Sequence, residues 1–111
     1  MSFPAAPELI PHRQPMVFID RVIACSDTDI TAELDLRPTL LFAEAAGLPS
    51  WTAIEIMAQT ICAFAGMQDH QQGLPPQIGY LLGSRRLLLP VPFFEFGQTL
   101  TIRASRHYMH D

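Results

Sequence analysis

Lysine is absent from the 111 residues; all seven basic side chains are arginines. That removes Schiff-base chemistry and the phosphate-loop lysine from consideration. Cysteine is scarce. Cys25 and Cys62 are far apart and fit no metal or redox spacing, so no metal site is expected. Neither is needed as a staple, which makes a reducing cytoplasm the expected compartment. No apolar run is long enough to span a bilayer. The N-terminus, with Pro4, Pro7, Glu8 and Pro11, lacks the basic and apolar zones of a signal peptide. Positive charge is outweighed: a net charge of −4 argues against a nucleic-acid backbone as partner. Repeats, linkers and low-complexity segments are missing as well. With 49% hydrophobic and 16% charged residues, what remains is one globular domain over 1–111 with a modest core.

What is there centres on Ser50–Gly66. From Trp51 to Ala65 there is no Pro or Gly, and Ala, Met, Ile and Phe predominate. Ala and Met are good helix formers. Ser50 suits an N-cap and Gly66 a C′ residue, although one further polar turn past Gly66 stays open. Such a helix is roughly 22 Å long. It is apolar nearly all round, so burial on most sides is expected. One narrow polar stripe breaks it: Thr52, Glu55 and Gln59, spaced i, i+3, i+7 on one face. The stripe either faces water or places a lone carboxylate in apolar surroundings. In the second case, burial disfavours the charge and suits Glu55 to proton transfer.

Strand patterns flank this run. Residues 1–15 carry four of the ten prolines and read as an extended arm with at most a short turn at Glu8–Ile10. Met16–Ala24 is rich in Val, Ile and Phe and predicts a strand. Cys25–Thr28 is a turn signal. Asp29–Leu36 alternates, with Ile30, Ala32, Leu34 and Leu36 inward, so an antiparallel hairpin is expected. Thr39–Pro49 is a connector that drops Leu40, Leu41 and Phe42 into the core. Ile78–Leu89 predicts a long strand in which Gly79 and Gly83 mark a bulge or a close approach to the backbone. Gln98–Tyr108 predicts a last strand. The expected class is α+β: an antiparallel sheet curled around one long central helix.

Two motifs carry a resemblance. Leu9-Ile10-Pro11-His12-Arg13-Gln14-Pro15-Met16-Val17-Phe18-Ile19-Asp20-Arg21-Val22 is similar to the opening P-H-R-x-P-hydrophobic-D-R-V motif of the 3-hydroxyacyl-(acyl-carrier-protein) dehydratases of the FabZ/FabA type. Ile54-Glu55-Ile56-Met57-Ala58-Gln59 resembles their E-x-M-A-Q helix motif, and Gly79–Pro90 with Gly97-Gln98 resembles later strands. The resemblance implies a hotdog fold, usually dimeric, with an acyl tunnel at the interface. It implies that Glu55 protonates a departing 3-hydroxyl while a loop histidine of the other subunit takes the α-proton. It implies a thioester held on phosphopantetheine of an acyl carrier protein, or a CoA thioester, with no other cofactor. A backbone N–H near Trp51 or Thr52 would polarise the thioester carbonyl. Gln59 and Gly83 are candidate substrate contacts, and Arg85 and Arg86 candidates for phosphopantetheine or the acidic carrier.

The chain departs from that pattern in two places. No histidine lies between His12 and His70, so Thr39–Pro49 supplies no base. Glu44, the only titratable group in that connector, is either a stand-in for the base or simply solvated. His12 is expected to be structural, and His70, His107 and His110 ordinary. Roughly thirty residues, or two strands and a turn, of the family pattern are not found after Tyr108. Three functions follow: a fatty-acid- or polyketide-type dehydratase; a half-site subunit paired with a dehydratase homologue, as in the similar accessory proteins of aryl-polyene-type polyketide systems; or a hotdog acyl thioesterase.

Overall fold

The computed structural model describes residues 3–73 and 88–105. Helix α1 (Ala6–Leu9) opens the fold. Strands β1 (Arg21–Cys25) and β2 (Asp29–Asp35) follow, then a two-residue strand β3 (Leu48–Pro49). A single 3₁₀ turn (Ser50–Thr52) leads into helix α2 (Ala53–Gln71). Short β4 (Phe93–Phe94) and long β5 (Thr99–Ser105) complete it. The architecture is α+β, an antiparallel sheet against one long central helix.

The sheet order is β1–β2–β5. In the β1–β2 hairpin, Val22 faces Ala32 and Cys25 faces Ile30, with a register irregularity between Val22 and Ala24. β2 pairs with β5 along its whole length, from Asp29 opposite Ser105 to Asp35 opposite Thr99. The period-2 pattern of β2 is realised: Ile30, Ala32 and Leu34 are buried, and Thr31, Glu33 and Asp35 are half-buried on the other face. That outer face carries Arg21, bonded to Glu33 at 2.8 Å and to both carboxylate oxygens of Asp35 at 3.0 and 2.7 Å. β3 and β4 form a second, two-strand ladder.

The core lies between α2, the arm and the sheet. Leu9, Ile10, Val17 and Ile19 pack with Ile30, Ala63, Phe64 and Met67 toward the C-terminal end of α2. Phe18, Leu34, Leu48 and Ile102 pack with Ile56 toward its N-terminal end.

Five expectations are corrected. The arm contains α1, whose Glu8 side chain accepts from the Ala5 N–H at 3.0 Å and so closes the first turn. The first strand begins only at Arg21; in 16–18 the backbone is bonded by the Gln59 side chain rather than by a neighbouring strand. Ser50 makes no capping bond, because the chain enters the helix through a 3₁₀ turn closed by Ala53 N–H to the Ser50 carbonyl. Gly66 does not end α2 but lies inside it. A Cβ there would stand 2.0 Å from the Leu9 carbonyl oxygen, so the position is glycine because α1 crosses the helix in contact. Leu88 and Leu89 are irregular. The rest of the expected Ile78–Leu89 strand, with Gly79 and Gly83, lies outside the described residues, as do Arg85 and Arg86.

Candidate functional site

Glu55 stands in the first turn of α2, beside the end where the chain enters from β3. The helix spacing of its stripe is realised, but the three residues have different surroundings. Thr52 is buried, and its hydroxyl donates to the Pro49 carbonyl at 2.7 Å. Gln59 is fully buried, with 0% exposure. Its Oε1 accepts from the Phe18 N–H at 2.7 Å, and its Nε2 donates to the Met16 carbonyl at 2.7 Å and to Glu55 Oε1 at 3.0 Å. Both amide hydrogens and the oxygen are thus engaged in holding the 16–18 segment and Glu55. Gln59 is a strut under the site, where the sequence suggested a substrate contact.

The deep burial suggested for Glu55 does not hold in the single chain. Its side chain is 40% exposed, because this part of α2 faces a cleft between the arm and the connector instead of the sheet. The cleft opens into a cavity of about 390 Å³ lined by Phe18, Phe42, Trp51, Thr52, Ile54 and Glu55. Among the described residues, Glu55 is the only charged group in that lining. Phe42 stacks on Phe18, with centroids 6.2 Å apart and planes at 12°, and Trp51 leans on Phe42 at 5.2 Å. Phe42 adopts φ +70°, a left-handed conformation uncommon for a bulky residue. Trp51 and Ile54 remain 55% and 43% exposed. The volume lies in the ordinary range for a small-molecule pocket, and its apolar walls suit an acyl chain.

His12 joins this group from the arm. Its Nε2 lies 3.4 Å from Glu55 Oε1. Nothing in the sequence announces that contact beyond the presence of a histidine in the first motif; sequence distance hides a pairing made only when the arm folds back on α2. Phe42 was expected in the core and lies at the cavity instead. Glu44 is exposed and outside the lining; its backbone closes a tight turn with Gly47 through two bonds of 2.9 and 3.1 Å.

A larger cavity, about 590 Å³, lies toward the other end of α2 between Phe3, Cys25, Phe64, Met67 and His70. It contains none of the residues around Glu55. Its Cys25 thiol is pushed up by burial and then by Asp27, which disfavours the reactive thiolate. Among the described residues, no group of three His, Cys, Asp or Glu side chains could hold a metal ion. Among the same residues, no helix is long and apolar enough to cross a membrane.

Residues 4–111 match a family model described as ApeP-like, ApeP dehydratase. A solved structure, the dehydratase heterocomplex ApeI:P from Xenorhabdus doucetiae, contains a chain similar to this one, with 29% identity and a TM-score of 0.87. The match covers 98% of the present chain and 74% of the other. The shared architecture is the hotdog fold. No curated protein matches.

Proposed function

The chain belongs to the ApeP-like dehydratase family, and on that premise we propose that it is one half of a two-chain site that dehydrates 3-hydroxyacyl thioesters. The observation that carries this reading is a single carboxylate, Glu55, braced by Gln59 at the mouth of an apolar cavity, in a chain whose connector 39–49 has no histidine. In this reading Glu55 is one half of an acid–base pair and a partner chain supplies the other. The solved relative is described as a heterocomplex of dehydratases. That description favours a homologous partner chain over a second copy of this one.

In this reading Glu55 gives its proton to the departing 3-hydroxyl, which leaves as water. A base on the partner takes the α-proton, and a trans-2-enoyl thioester results. The acyl chain lies along Phe18, Phe42 and Ile54. First-turn N–H groups near Trp51 and Thr52 polarise the thioester carbonyl as enolate charge develops. The thioester is delivered on the phosphopantetheine of an acyl carrier protein, or as a CoA thioester, in the cytoplasm. Arg85 and Arg86 are candidates for meeting the phosphate or the acidic carrier, with Gly83 beside them.

The test is to incubate the purified chain with 3-hydroxyacyl and enoyl thioesters, alone and with a histidine-bearing dehydratase homologue. Interconversion only in the mixture supports the half-site. Interconversion by the chain alone would make it a self-sufficient lyase. Free thiol release without enoyl product would make it a thioesterase. Glu55→Gln should lower turnover in the active mixture by about 10² to 10⁴; unchanged turnover would remove Glu55 from the mechanism.

A further inference from the structure

Glu55 has two oxygens, and the structure treats them differently. Gln59 Nε2 donates to Oε1 at 3.0 Å, and His12 Nε2 lies 3.4 Å from the same Oε1. Among the described residues neither group reaches Oε2, while Glu55 is the charged wall of the cavity. We propose that His12 is a positioning residue for Glu55: with Gln59 it holds Oε1 from two sides, so that Oε2 is the oxygen that carries and gives up the proton. This inference rests on the reading of Glu55 as the working acid.

The other nitrogen of His12 sets the tautomer. Nδ1 is buried and has no hydrogen-bond partner among the described residues. A proton there would be a buried N–H without an acceptor, which native structures avoid. The neutral ring therefore carries its proton on Nε2, facing Glu55. The backbone that carries the ring is held by its neighbour: Arg13 Nη1 donates to the His12 carbonyl at 2.8 Å and to the Ile10 carbonyl at 3.2 Å, which ties down the arm on both sides of Pro11. A separation of 3.4 Å is long for a hydrogen bond. Contacts of this kind tighten when substrate fills the site.

The arrangement also has a chemical consequence. When Glu55 loses its proton to the leaving hydroxyl, negative charge appears on the carboxylate. Gln59 Nε2, already bonded to Oε1, stabilises that charge at once, and His12 Nε2 adds to it as the 3.4 Å contact closes. The free Oε2 keeps a single orientation toward the cavity, instead of exchanging with Oε1 by rotation about the terminal bond.

The test has a spectroscopic arm and a kinetic arm. In the full-length chain labelled with nitrogen-15, the His12 ring should show one tautomer, protonated on Nε2, assigned by its loss in His12→Gln. In Glu55→Ala the buried Nδ1 should keep the proton on Nε2, while the Nε2 signal should shift as its carboxylate neighbour is lost. In the active two-chain mixture, His12→Ala should lower kcat about tenfold with KM unchanged, the loss of one hydrogen bond to a developing charge. His12→Gln, whose amide reaches the same place, should restore most of it. An identical His12 spectrum in wild type and Glu55→Ala would overturn the inference, as would an unchanged kcat in His12→Ala. An Nε2 signal shifted by Glu55→Ala, in a mixture without dehydratase activity, would leave the His12–Glu55 contact standing and remove the dehydratase reading instead.

Discussion

Gln59 joins two pieces of chain that sequence distance separates, α2 and the backbone at Met16 and Phe18, and braces the carboxylate of Glu55 one turn before it on the same helix. Thr60, next to it and equally buried, bonds among the described residues only the Ile56 carbonyl of its own helix at 2.9 Å. The two residues therefore differ in consequence. Gln59→Leu strands a buried N–H and a carbonyl on another segment, and should cost about 2–3 kcal/mol in urea unfolding. Thr60→Val removes a bond whose acceptor already serves the helix, and should cost less than about 1 kcal/mol. Equal losses for the two variants would mean that the 16–18 segment finds other partners. The alternation that exposed β2 in the sequence works for Ile30, Ala32 and Leu34 because a strand repeats every two residues. No such period announces Gln59 as a strut or His12 as a neighbour of Glu55, since both contacts depend on where a distant segment folds back.

At the scale of elements, α1 against α2 and the outer face of the sheet each give a measurable expectation. Alanine in a helix interior is ordinarily favoured over glycine by about 1 kcal/mol. At Gly66 the added methyl would meet the Leu9 backbone, and forcing α1 away costs about 1–3 kcal/mol. Gly66→Ala should therefore fail to stabilise, and should lower the urea midpoint; a raised midpoint would mean that α1 is free to lift off. On the sheet, hydrogen bonding from the Arg21 guanidinium, and then from Thr99, holds the Asp35 carboxyl below the usual range. Asp29 is lowered too, first by its hydrogen bond from Ser105 and then by Thr28. A depressed acid stabilises the fold fully above its unfolded pKa, and that contribution disappears as pH falls toward the folded value. Melting temperature should therefore drop as pH goes below about 4. Asp35→Asn should show a smaller drop over the same interval, from a lower plateau. Both acids are solvent-facing and screened by salt, so the effect should shrink at high ionic strength.

For the whole molecule, the exposed aromatic wall of the cavity is the feature that the single chain leaves unfinished. Trp51, the only tryptophan, is 55% exposed beside Phe42, which is 45% exposed. Under the two-chain reading this wall is covered in the complex. Emission from Trp51 should then shift to shorter wavelength when the homologous partner is added, measured as the difference from a Trp51→Phe complex. An unshifted difference spectrum in a formed complex would place the interface elsewhere.

The sequence by itself determined the α+β class, the β1–β2 hairpin, the inward face of β2, the central helix and the position of Glu55 on it. These are local: hydrophobic period, turn residues and helix propensity act within a few residues of each other. It also carried the resemblance to the dehydratases, because two motifs stood in order on the chain. Tertiary structure alone decided the rest. It made Gly66 a crossing point instead of a helix end, Gln59 a buried brace instead of a substrate contact, and His12 a neighbour of the acid. It also left Glu55 at a half-open cavity. Each of these outcomes depends on the arm and the connector returning to α2, and no periodicity in the chain encodes the place where two distant segments meet.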